Sequence, residues 1–83
     1  MKLTVRYFAS IREALGLSET IDVPTDATVG SVRDALIARG GAYATVLARN
    51  RGLRSALNHQ MCSDEVTVPA DAEVAFFPPV TGG

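Results

Sequence analysis

Residues Thr28–Gly41, TVGSVRDALIARGG, decide how the rest of the chain can be arranged. Val29, Val32, Ala35 and Leu36 recur at intervals of three and four, which is the spacing of one face of a helix. Thr28 offers a capping oxygen at the start, and Gly40-Gly41 supplies the stop. The stretch predicts one longer helix with a single apolar stripe, and that stripe needs a sheet to cover it.

Strand patterns lie on both sides. Before the helix, Leu3, Val5 and Tyr7 alternate with Lys2, Thr4 and Arg6, so a strand with one buried face is expected, and Phe8 falls on its polar side. Ser10-Ile11-Arg12-Glu13 fits a capping box and Gly16 a helix stop, which predicts a short helix. Ile21 and Val23 alternate with Thr20 and Asp22 in a second strand, ended by Pro24. After the helix, Tyr43, Val46 and Leu47 suggest another short helical segment, and Asn50-Arg51-Gly52 a turn. ALNHQM (Ala56–Met61) and EVTV (Glu65–Val68) read as short strands, and Glu73–Phe77 as the last one. The first and last strands are the most apolar and are expected at the centre of the sheet. Strand, strand, helix, short strands, strand fits an α+β fold, a β-grasp (ubiquitin-like) roll. Its mixed sheet would carry one main helix on one face. A ferredoxin-like split unit would need a second full helix between the later strands. Residues 1–78 are read as one domain and 79–83 as an extended tail.

The composition narrows the function classes. The 83 residues are 47% hydrophobic with a formal net charge of −1, without the basic excess of a nucleic-acid binder. Lys2 is the only lysine. No apolar run approaches the ~20 residues that span a bilayer, so a cytoplasmic protein is expected. The single cysteine, Cys62, has no partner for an internal disulfide. With the single histidine, His59, it cannot fill a tetrahedral metal site. His59 reads as a surface or structural residue. Cys62 has no cation beside it in sequence to lower its pKa. Asp64-Glu65 reads as a solvated turn. Arg49, Arg51 and Arg54 read as a solvated basic loop that would also suit an acidic partner. No glycine-rich phosphate loop is present, since Gly40-Gly41 lacks the following Lys-Ser/Thr.

The aromatic residues and the tail carry more. If Val74 and Phe76 enter the core, Phe77 points outward and meets Phe8 on the bare face of the sheet. Such a patch is the mark of a partner surface. Met61 is placed with it as a candidate interface residue, the facing of the ALNHQM segment being open. Pro78 and Pro79 lack an N–H and cannot continue the ladder. They project Val80, Thr81, Gly82 and Gly83, and the five residues from Pro79 reach roughly 16 Å. Two glycines without Cβ atoms can thread a narrow channel, and an acyl carbon at Gly83 is unhindered.

On VRYFASIRE (Val5–Glu13), ALN (Ala56–Asn58) and EVAFFPPVTGG (Glu73–Gly83), the chain resembles the small subunits of molybdopterin synthase. These form the MoaD branch of the ubiquitin-like MoaD/ThiS sulfur carriers. The likeness spans essentially the whole chain. It departs at PADAEV (Pro69–Val74), where relatives commonly place Gly-Asp before the Glu-Val. The resemblance implies that the Gly83 carboxylate, presented with Gly82, is adenylated by a MoeB-like enzyme using ATP and magnesium. Sulfur from a persulfide donor then makes it a thiocarboxylate. The carrier would dock on the large subunit, MoaE, within a heterotetramer. Its sulfur would pass to precursor Z (cyclic pyranopterin monophosphate) to build the molybdopterin dithiolene. The carrier would bind no cofactor itself and supply no side-chain catalyst. The alternatives are a ThiS-like carrier for thiamine thiazole synthesis, a protein modifier conjugated to lysines, and a non-reactive ubiquitin-like interaction module.

Overall fold

A computed structural model describes residues 1–79. The elements are β1 (Lys2–Tyr7), α1 (Ala9–Leu15), β2 (Ser18–Asp22), α2 (Val29–Ile37), α3 (Gly41–Val46), β3 (Arg54–Leu57), β4 (Gln60–Cys62) and β5 (Glu73–Phe77). The strands form one sheet in the order β2-β1-β5-β3-β4. β1 and β5 run parallel, with Val5 opposite Val74 and Tyr7 opposite Phe76. The other pairings are antiparallel. The two most apolar strands are therefore neighbours at the centre, as their composition predicts.

The register puts Leu3, Val5, Tyr7, Val74 and Phe76 on one face, each at most 1% exposed, and Val29, Val32 and Leu36 of α2 are equally buried. Together they make one core. The start of α2 is fully capped. Thr28 and Ser31 exchange side-chain and backbone hydrogen bonds at 3.1 and 2.8 Å. The N–H groups of Val29 and Gly30 donate to the carbonyls of Val66 (3.0 Å) and Asp64 (2.8 Å). Helical amides that would otherwise lack partners thus tie the segment after β4 to the helix.

Four local readings are corrected. The Ser10 capping box does not form. α1 starts at Ala9, with Phe8 as N-cap and no side-chain cap, because the Phe8 carbonyl accepts from the amides of Ile11 (3.1 Å) and Arg12 (3.3 Å). ALNHQM is not one strand. Asn58 (φ +48°) and His59 (φ +71°) both turn left-handed, making a two-residue hairpin between β3 and β4. EVTV forms no strand, only a single bridge between Thr67 and Thr28, since its amide and carbonyl partners lie on α2 and its flank. Arg49 is exposed, as read, but it is not a free loop cation. It pairs with Asp34 at 2.7 Å and Asp64 at 2.6 Å and donates to the Gly30 carbonyl at 3.1 Å.

Candidate functional site: an aromatic face and a proline stalk

The face of the sheet opposite the helices carries the aromatic pair. Phe8 continues β1 by one residue and donates its amide to the Phe76 carbonyl at 3.2 Å, which sets it beside Phe77. Their rings meet edge to face, with centroids 6.3 Å apart and planes at 89°, a favourable aromatic geometry. The Arg6 guanidinium lies 5.4 Å from the Phe8 centroid. Across the sheet Ala75 faces Ala56, and Ala56 faces Met61. The two alanines form a low floor between taller walls. The result is a concavity of about 390 Å³ lined by Phe8, Ala56, His59, Met61, Glu73, Ala75 and Phe77. Met61 is 57% and Phe8 37% exposed. Phe8, Phe77 and Met61 therefore line one concavity, and the open facing of Met61 is resolved toward it.

The hairpin turn is fixed to the central strand. Asn58 donates its amide to the Glu73 carbonyl at 2.8 Å, and its Oδ1 accepts from the Glu73 amide at 2.9 Å. This double bond of Asn58 to the start of β5 holds the rim that carries His59 and Met61. His59 is exposed, with Nε2 3.5 Å from Glu73 Oε2. Cys62 is half-buried, and burial, followed by the nearby Asp64, pushes its thiol above the ordinary range. That is the opposite of thiolate activation.

The stalk leaves at the end of β5. Pro78 and Pro79 share a second concavity, about 300 Å³, with Ser10, Ile11, Val46, Arg51, Gly52 and Leu53. One wall is held by Arg33, which the sequence reading did not single out. It is 4% exposed and donates to the carbonyls of Leu47 at 2.7 Å, Ala48 at 2.5 Å and Arg51 at 3.1 Å. Its signal was its place: Arg33 stands four residues after Val29, beside the apolar stripe of α2. The expectations for Val80, Thr81, Gly82 and Gly83 lie outside the described residues.

A second cluster braces the sheet to the helices. Tyr7 and Tyr43 hydroxyls donate to Glu19 Oε2 at 2.8 and 2.7 Å, and Arg39 donates to Oε1 at 2.7 Å. Burial pushes the Glu19 carboxyl up, but the bonds from Tyr43, Arg39 and Tyr7 outweigh it and hold the group below its ordinary value. Burial, then the bond to Glu19, drives the Tyr7 hydroxyl far above its ordinary range. Both are settled structural contacts, remote in sequence from the stalk.

A strand pair whose parallel partners lie at opposite ends of the chain, crossed by one main helix, is the plan of the ubiquitin-like β-grasp fold. The crystal structure of the small archaeal modifier protein 1 of H. volcanii shares it. That protein is 28% identical with a TM-score of 0.78, over 95% of this chain and 98% of its own. The chain belongs to the ThiS family, whose model matches residues 5–83. It is 39% identical over 82 residues to the molybdopterin synthase sulfur carrier subunit of Haemophilus influenzae, covering 98% of this chain and 99% of that protein. It is 35% identical over 81 residues to the Escherichia coli protein of the same name, with the same coverage. Among the described residues no helix is long and apolar enough to cross a membrane.

Proposed function

We propose that this chain is the sulfur-carrier subunit of a molybdopterin synthase. The domain of residues 1–78 presents the tail 79–83, and the reacting atom is the carbonyl carbon of Gly83. A carboxylate is a poor electrophile. Attack by its oxygen on the α-phosphorus of ATP, with magnesium held by the activating partner, expels pyrophosphate and makes an acyl adenylate. The outer sulfur of a persulfide donor displaces AMP to give an acyl disulfide, which a second thiol of the donor cleaves, leaving the thiocarboxylate on Gly83 and a disulfide on the donor. In the large subunit, the tail transfers that sulfur to cyclic pyranopterin monophosphate. The scheme asks no nucleophile or base of the carrier's side chains. Phe8, Phe77 and Met61 dock the carrier, Pro78 and Pro79 stiffen the exit, and Val80, Thr81 and Gly82 thread the partner's channel. The reading puts these reactions in the cytoplasm.

The observation that carries this reading is the 39% identity to a curated carrier over 98% of the chain. The aromatic pair beside the stalk, Phe8 exposed and Phe77 half-buried, supports it. Reconstitution with the large subunit, ATP, an adenylating enzyme, a sulfide source and the pterin precursor tests it. Product is expected with the wild-type chain and none with Gly83 deleted. Turnover by the deletion variant refutes the reading, and product only with the thiazole acceptor reassigns it to the thiamine branch. The likeness to the archaeal modifier protein favours a second use of the same adenylate, conjugation to protein lysines. It is read out as covalent adducts in the same mixture.

A further inference from the structure

The three arginines of the 49–54 segment have different fates. Arg49 is neutralised within the fold by Asp34 and Asp64. Arg51 and Arg54 are exposed, and among the described residues neither has a carboxylate within the 4.0 Å of an ion pair. Both flank the stalk. Arg51 lines the concavity shared with Pro78 and Pro79, and Arg54 stands opposite Phe77 in the sheet register. On the other side of Phe77, Arg6 packs over the Phe8 ring and reaches Glu73 only at 3.9 Å. The acidic turn residue Asp71 precedes β5 at its far end, roughly 20 Å along the strand from the stalk. Among the described residues, Arg51 and Arg54 thus leave positive charge uncompensated beside the stalk, although the chain as a whole carries −1.

We propose that Arg51 and Arg54, joined by Arg6, form a cationic rim around the stalk that pairs with carboxylates on the protein receiving the tail. The inference rests on the carrier reading. Gly83 is four residues past Pro79, and four residues span at most about 13 Å at ~3.3 Å each. A catalytic centre acting on Gly83 therefore draws its own surface against this rim. Closing on unpaired guanidinium groups is unfavourable unless the partner supplies acids there. The aromatic face is the apolar centre of the contact and the arginines its charged border, the usual division of an interface. A border of this kind acts chiefly on the association rate and on its salt dependence.

The test measures association and dissociation rates of the full chain with the large synthase subunit at about 50 and about 300 mM NaCl, straddling physiological screening. Wild-type association is expected to slow at least about tenfold across that range. The double variant Arg51→Glu/Arg54→Glu should associate about tenfold or more slowly at low salt, with dissociation changed far less. The neutral pair Arg51→Gln/Arg54→Gln should fall between, with melting temperatures near wild type. Wild-type association that ignores salt, together with both variants associating like wild type, overturns the rim. Failure of the wild-type chain to bind the large subunit at all overturns the carrier reading and the rim with it.

Discussion

Phe76 and Phe77 are neighbours with opposite tasks, because a strand turns successive side chains to opposite faces. Phe76 is fully buried and Phe77 borders the open concavity. Phe76→Ala should therefore cost about 3–5 kcal/mol of stability. Phe77→Ala or Phe8→Ala should cost less than about 1.5 kcal/mol in a thermal or urea melt, yet weaken large-subunit binding about tenfold or more. A collapse of stability in Phe77→Ala would mean that the ring belongs to the core. This division was legible in the alternation of EVAFF. Gly30 was not. A Cβ there would meet Arg49 Nη2 at 3.0 Å, and Asp64 Cβ and carbonyl oxygen at 3.1 Å, from a turn 34 residues further on. Gly30→Ala should lower stability by about 1–3 kcal/mol, against an Ala helix preference of about 1 kcal/mol. A net gain in a urea melt would show that the turn yields.

At the scale of elements, α2 was readable from its period and caps, and Thr28 caps it as expected. Periodicity cannot report left-handed turns formed by non-glycine residues, so the hairpin at Asn58-His59 was read as continuous strand. It sets Arg33 beside the apolar stripe but cannot name its partners, which are backbone carbonyls with no residue code. Arg33→Met keeps the helix and the volume but leaves those carbonyls without their donor. It should cost about 2–4 kcal/mol, on the scale of lost charged hydrogen bonds. It should also loosen the 47–53 wall, raising amide exchange there more than in β1. Uniform exchange across both segments would deny Arg33 that local role.

At the scale of the molecule, the Glu19 cluster ties the β1–β2 ladder to α3 and to Arg39 in the turn after α2 through side chains, a union no local pattern announces. Its pH signature follows from the lowered carboxyl. The unfolded chain binds the proton more readily, so the contribution is complete above the ordinary value of 4.5 and is lost as pH falls below it toward the folded value. Wild-type stability should therefore decline on acidification through that window, and Glu19→Gln should flatten the decline. An unchanged slope would remove Glu19 from the account. The proposed function gives the fold as a whole one task, to hold a stalk at the end of its central strand, and puts the chemistry past that stalk. Intact-mass measurement after incubation with the adenylating enzyme, ATP and a sulfur donor tests this most directly. The account predicts a gain of about 16 Da, one oxygen exchanged for sulfur, mapped to the C-terminal peptide and absent when Gly83 is deleted. An unchanged mass under conditions that charge a known carrier would contradict it.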